Sequence, residues 1–167
     1  MSKKPIPDFN SIDLKLPLGA YSSFDMACIY PALIKSKKND VYLEVGVDKG
    51  KSLAFARKYF KGDVFGIDPK PNPDIPETNF INKLSNDVSW DLPINILFID
   101  GDHSYQGAKD DWNNFSPFVV KGGWVFFHDA DATSPGVVQV TEEIGKGWGK
   151  VKYSPNPQCS MAWVKKL

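Results

Sequence analysis

The chain has 167 residues, enough for a single domain with a substantial buried core. Lys plus Arg and Asp plus Glu each number 20, a neutral balance that argues against a dedicated nucleic-acid or membrane-surface binder. No apolar run approaches the roughly 18 residues of a membrane span, and no apolar stretch follows the charged Met1-Ser2-Lys3-Lys4-Pro5 start, so the expectation is a cytoplasmic chain without membrane contact or signal peptide. Cys28 and Cys159, distant in sequence and without metal-type spacing, read as free thiols of a reducing compartment.

Residues 1 to about 20, rich in Pro, Lys and Asp, read as a loosely ordered lead-in to one domain spanning 1–167. Met26, Tyr30 and Leu33 have helical spacing between Ser22 and Lys35, and Pro31 is expected to kink or interrupt that helix. Val41–Val45, apolar except for Glu44, reads as a buried strand. Gly46 and Gly50 bracket a tight turn. Leu53, Ala56 and Phe60 then mark a helix over 52–60, with Gly62 as its stop. Strand, glycine turn and helix aim backbone N–H groups and a positive helix end at one point, a seat for something small and partly anionic.

A second strand, 63–68, ends in Asp68. Pro71, Pro73 and Pro76 make 70–78 a surface loop, and 79–84 is a weaker third strand. Ile94–Asp100 is almost wholly apolar and again ends in an acid. Tyr105, Ala108, Trp112 and Phe115 form a helical stripe; Trp124–His128 is a fifth buried run; Val137, Val140 and Ile144 mark a last helix. Two strands near 150–154 and 160–165 fit an antiparallel hairpin. Strands apolar on both faces that alternate with helices give an α/β, Rossmann-like, mostly parallel sheet of about seven strands, with helices on both faces. Ligands bind beyond the C-terminal strand ends of such sheets, where Glu44, Asp68, Asp100, His128 and Asp129 all lie. The five tryptophans are assigned to the core.

Three patterns compete for the first turn. In a dinucleotide G-x-G-x-x-G the second and third glycines would fall on Asp48 and Lys51. A phosphate-binding G-x-x-x-x-G-K-[ST] suits Gly50-Lys51-Ser52 but puts its first glycine on Val45. Glu-x-Gly-x-x-x-Gly fits without substitution at Glu44, Gly46 and Gly50.

That pattern resembles the first motif of the class I S-adenosylmethionine-dependent methyltransferases. The resemblance implies that Glu44, Val45, Gly46 and Gly50 seat the aminoacyl part of the cofactor. It also implies that Asp68, 18 residues beyond Gly50, takes the ribose hydroxyls. Adenine is expected near Lys83–Asp87, with Ser85 as a polar contact and Leu84 as an apolar face, while Lys51 is expected to be a solvated first-turn side chain. Phe98-Ile-Asp-Gly-Asp-His-Ser-Tyr105 together with Lys121-Gly-Gly-Trp-Val-Phe-Phe-His-Asp129 resembles a subgroup of small O-methyltransferases of hydroxylated compounds, and the similarity covers about residues 40–140. It implies a divalent cation, Mg²⁺, on Asp100 and Asp129, with Asp102 or Asp131 as further ligands; the other reading makes these acids strand-end caps.

His128, His103 and Asp100 are the catalytic candidates. Either imidazole suits the removal of a hydroxyl proton, with His128 the first choice and His103 a substrate contact. The resulting expectation is methyl transfer from S-adenosylmethionine to a small hydroxylated acceptor, with a second copy of the chain as a candidate to complete the pocket. A phosphotransferase and a non-catalytic cofactor-binding module are the alternatives.

Overall fold

The computed structural model describes residues 23–70 and 79–167. The expected lead-in and most of the proline-rich loop therefore lie outside the described residues. The elements run α1 (Ser23–Leu33), β1 (Val41–Val45), α2 (Lys51–Tyr59), β2 (Asp63–Ile67), β3 (Phe80–Ile81), β4 (Ile94–Ile99), α3 (Tyr105–Phe115), β5 (Val119–Phe127), α4 (Pro135–Glu142), β6 (Lys152–Tyr153) and β7 (Ala162–Lys165). They build one seven-stranded sheet in the order β3-β2-β1-β4-β5-β7-β6. The first five strands are parallel, and β7 runs antiparallel to both β5 and β6. The strand order reverses between β1 and β4, where Val45 pairs with Ile99, and the crevice above this switch point is where such folds bind ligands.

The period of two along the strands sorts the core into two layers. Tyr42, Ile96, Phe98 and Phe126 face α1 and α2, meeting Met26, Ile29, Leu33, Leu53 and Phe55. Leu43, Val45, Leu97, Ile99, Val125 and Phe127 face the other way, meeting Ala108 and Phe115 of α3 and Val137 and Val140 of α4. Burial on both faces explains why these strands are continuous apolar runs.

Several local expectations change. Pro31 lies inside α1 without ending it, because the helix runs only to Leu33 and a proline in the last turn disturbs few remaining bonds. Gly62 is not a left-handed helix stop, since α2 ends at Phe60 with extended geometry. Gly62 is needed because a Cβ there would stand 1.9 Å from the Asp40 carbonyl oxygen. Lys51 is buried rather than solvated, at 4 % exposure. The third strand shrinks to two residues, and the fifth begins earlier, at Val119, with a register irregularity opposite β4.

Candidate active site

The turn after β1 is shaped by three left-handed residues, Gly46 (φ 84°), Asp48 (φ 45°) and Gly50 (φ 79°). At Gly46 a side chain is impossible for a second reason: a Cβ would lie 2.1 Å from the Asp100 carbonyl oxygen, so β1 and β4 touch at this point. Four N–H groups of the turn are already committed. Gly46 donates to the Ile67 carbonyl (2.9 Å) and Gly50 to that of Val47 (2.8 Å). Val47 and Asp48 both donate to Asp68 Oδ2 at 2.9 Å. An anion is thus already supplied from within the chain, and the turn does not cradle a phosphate as the P-loop reading requires. A partly anionic ligand at this turn would therefore meet N–H groups other than these four. Asp68 Oδ1 accepts from Lys70 N–H (2.8 Å) and retains acceptor capacity toward the cleft that Asp68 lines.

Glu44 occupies a different place from the one implied by the resemblance. The strand's alternation turns it toward α2, fully buried, where Tyr42 OH donates to one oxygen (2.6 Å) and Ser52 Oγ to the other. Burial pushes its carboxyl up to about 8 against the opposing pull of those two hydroxyls. The side chain supports the turn from beneath and is absent from the cleft wall, as is Gly50, which instead caps α2.

The cleft has a volume of about 370 Å³, within the range of small-molecule sites. Val45, Gly46 and Asp68 line it. Leu84, 58 % exposed, and Ser85 on a short 3-10 turn line it as well. Among the described residues five carboxylates (Asp48, Asp68, Asp100, Asp102 and Asp111) and one lysine, Lys70, line it. Such a wall attracts cations and hydrogen-bond donors and repels phosphates. Asp111 was not foreseen. It is buried on α3, and burial, reinforced by Asp102 and Asp110 and opposed by a hydrogen bond from Ser85, pushes its carboxyl up to about 6. Its signal was an acid at the helical spacing of Ala108 and Phe115, on the stripe that faces the sheet.

At the ends of β4 and β5 the structure brings together four of the expected residues. Asp100, His103 and Asp129 each present a ligand atom, all within 4.8 Å of one another. His103 lies 3.2 Å from Asp100 Oδ1 and 3.5 Å from Asp129 Oδ2. His128 Nδ1 is 3.1 Å from Asp100 Oδ1 and 3.2 Å from Asp129 Oδ2, and its Nε2 is 3.6 Å from Asp25 Oδ2. Asp129 holds a left-handed backbone (φ 50°), and its Oδ1 accepts from Ser160 Oγ (3.1 Å). Asp25 was also missed; it is a buried acid within the apolar α1, and Ser160 N–H donates to it (3.1 Å).

The two histidines differ in access. Burial works against protonation of His128, but Asp100, Asp129 and Asp25 outweigh it and push its pKa up to about 12. The hydrogen bond to Asp100 raises His103 despite partial burial, and the His103 side chain is 40 % exposed. His128 therefore sits buried among three carboxylates that favour its protonated form, while His103 faces the opening. The paired carboxylates of Asp100 and Asp129 fit a hard divalent cation such as Mg²⁺, which would take over part of the charge now balanced by the histidines. Asp102 and Asp131 are used locally: Asp102 accepts from Ser104 N–H before α3, and Asp131 from Thr133 before α4.

The family described as a methyltransferase domain matches residues 43–130, just over half of the chain. An uncharacterised protein of Acanthamoeba polyphaga mimivirus is 32% identical over 149 residues; the match covers 71% of this chain and 66% of that relative, just under two thirds of its length. The fold is shared with MycE methyltransferase of the mycinamycin biosynthetic pathway, solved with Mg, SAH and mycinamycin VI (TM-score 0.67, 18% identity, 89% of this chain and 50% of that one). It is shared equally with an O-methyltransferase of Bacillus cereus in complex with SAH (0.64, 14%, 91% and 85%) and with an rRNA methylase of Streptococcus thermophilus (0.64, 12%, 86% and 96%). Acceptors that diverse on one fold mean that the fold alone does not choose the acceptor. With the sheet order, the switch-point cleft and the matched segment in agreement, the chain belongs to the methyltransferase-domain family of class I S-adenosylmethionine-dependent enzymes.

Proposed function

We propose that this chain transfers a methyl group from S-adenosylmethionine to a hydroxyl of a small acceptor, with a divalent cation held by Asp100 and Asp129. The observation that carries the reading is the convergence of Asp100, His103, His128 and Asp129 next to an acidic cleft at the sheet's switch point. The cleft suits the cofactor's chemistry. Asp68 meets the ribose hydroxyls, and Asp111 and Ser85 stand beside the exposed face of Leu84 to meet an adenine edge. The acidic wall favours a sulfonium and an ammonium over the phosphates of a nucleotide, which weighs against a phosphotransferase.

The cation, when bound, lowers the pKa of a coordinated acceptor hydroxyl. The side chains do the rest. Asp100 and Asp129 orient that end of the acceptor, and His128 fixes both carboxylates from behind. His103, the exposed imidazole, is assigned as the group that receives the hydroxyl proton, in preference to the buried His128. The reading commits to a small molecule rather than a nucleic acid or membrane as partner, consistent with the neutral overall charge; among the described residues no helix is long and apolar enough to cross a membrane. Calorimetric titration with S-adenosylmethionine, with and without Mg²⁺, tests it. Micromolar cofactor binding, and cation binding that Asp100→Asn abolishes, are expected. No heat at high micromolar cofactor overturns the reading, and cofactor binding with no cation binding removes the metal from it.

A further inference from the structure

Cys28 and Cys159 lie 131 positions apart in sequence, yet their Sγ atoms are in contact at 3.2 Å. Both are free thiols, Cys28 partly exposed on α1 and Cys159 buried in the loop between β6 and β7. A disulfide needs sulfur atoms about 2 Å apart, so only about 1 Å of approach separates this pair from a bond. We propose that Cys28 and Cys159 form an oxidisable dithiol, converted by a small-molecule disulfide into an intramolecular bond that staples α1 to the β6–β7 loop. The inference is independent of the acceptor and of the cation.

The order of steps follows from exposure. Either thiol can donate in the Sγ contact, and Cys28 is the partly exposed sulfur, so it is the one an oxidant reaches first. Cys28 attacks one sulfur of the oxidant, expelling one thiolate and forming a mixed disulfide. Cys159, losing its proton, attacks the Cys28 sulfur and expels the second thiolate; two protein thiols are oxidised and one disulfide is reduced to two thiols. The bond joins two segments that hold the histidine and acid cluster. Asp25, one helical turn before Cys28, faces His128, and Ser160, next to Cys159, bonds to both Asp25 and Asp129.

The test is incubation of the folded chain with oxidised glutathione, followed by thiol titration, intact mass and melting. The two titratable thiols should fall to none in a monomer lighter by two hydrogens, with a melting temperature raised on the order of 10 °C and restored by dithiothreitol. Cys159→Ser should stop at a glutathione adduct on Cys28, and Cys28→Ser should leave Cys159 largely unmodified. A wild-type chain that keeps both thiols, accumulates stable glutathione adducts or cross-links only between molecules overturns the proposal. An adduct that forms faster on Cys159 than on Cys28 overturns the assigned order.

Discussion

Glu44→Gln separates support of the turn from contact with the cofactor. The wild-type carboxyl is fully buried and its pKa is pushed up to about 8, against an ordinary 4.5. The folded chain therefore binds this proton more tightly than the unfolded chain between those two values. The associated stability is fully present below pH 4.5 and is lost as pH rises toward 8. The slope in that window is about 1.4 kcal/mol per pH unit, so raising the pH from about 5 to 7.5 costs the wild type about 3 kcal/mol through this group alone. Glutamine has the same shape. Its oxygen can accept from Ser52 Oγ and its NH₂ can donate to the Tyr42 oxygen once that hydroxyl rotates, and it does not titrate.

Urea unfolding of both proteins across this pH range measures the difference. The two should match within about 1 kcal/mol near pH 5, and the variant should gain about 3 kcal/mol over wild type by pH 7.5. Cofactor affinity should change less than about threefold, because Glu44 is not on the cleft wall. Parallel stability curves would show that Glu44 ionises freely in the folded chain. A large loss of cofactor affinity would return the residue to the binding site.

Gly46→Ala adds a Cβ 2.1 Å from the Asp100 carbonyl at a left-handed position; it should cost at least about 3 kcal/mol in urea unfolding. Asp68→Asn withdraws charge from the Val47 and Asp48 N–H groups and from the cleft, lowering cofactor affinity tenfold or more by calorimetry and stability by about 1–3 kcal/mol. His103→Ala should lower kcat by about a hundredfold while stability stays within about 1 kcal/mol, whereas His128→Ala removes the cation that Asp25, Asp100 and Asp129 share and should cost about 3 kcal/mol in the absence of a metal ion. Equal kinetic losses with equal destabilisation from the two histidine variants would dissolve the distinction between base and clamp.

The succession of elements was legible because its signals are local. Val41–Val45 and Ile94–Ile99 are apolar runs bounded by turn residues, the Ala108/Trp112/Phe115 stripe has helical period, and acids close the strands. The strand-end position of Asp68, Asp100, His128 and Asp129 followed from the same reading, since every parallel strand delivers its C-terminal end to one edge of the sheet. What those residues do once there was not local. Alternation along β1 sent Glu44 beneath the turn, and crossovers brought β4 beside β1 so that Gly46 meets Asp100. Asp25 on His128, Asp111 in the cleft and Cys28 against Cys159 depend on how α1, α3 and the closing hairpin pack, which no window of neighbouring residues encodes.

The Gly46–Ser52 turn shows the division most sharply. Its glycines specified a strained backbone, because only they tolerate φ near +80° in close contact. Whether its N–H groups would face an external anion was decided by Asp68 arriving from β2 to occupy two of them. Sequence determined the conformations and the apolar faces, since these depend on each residue and its near neighbours. Tertiary structure decided charge and access, since these depend on which distant groups share a buried space.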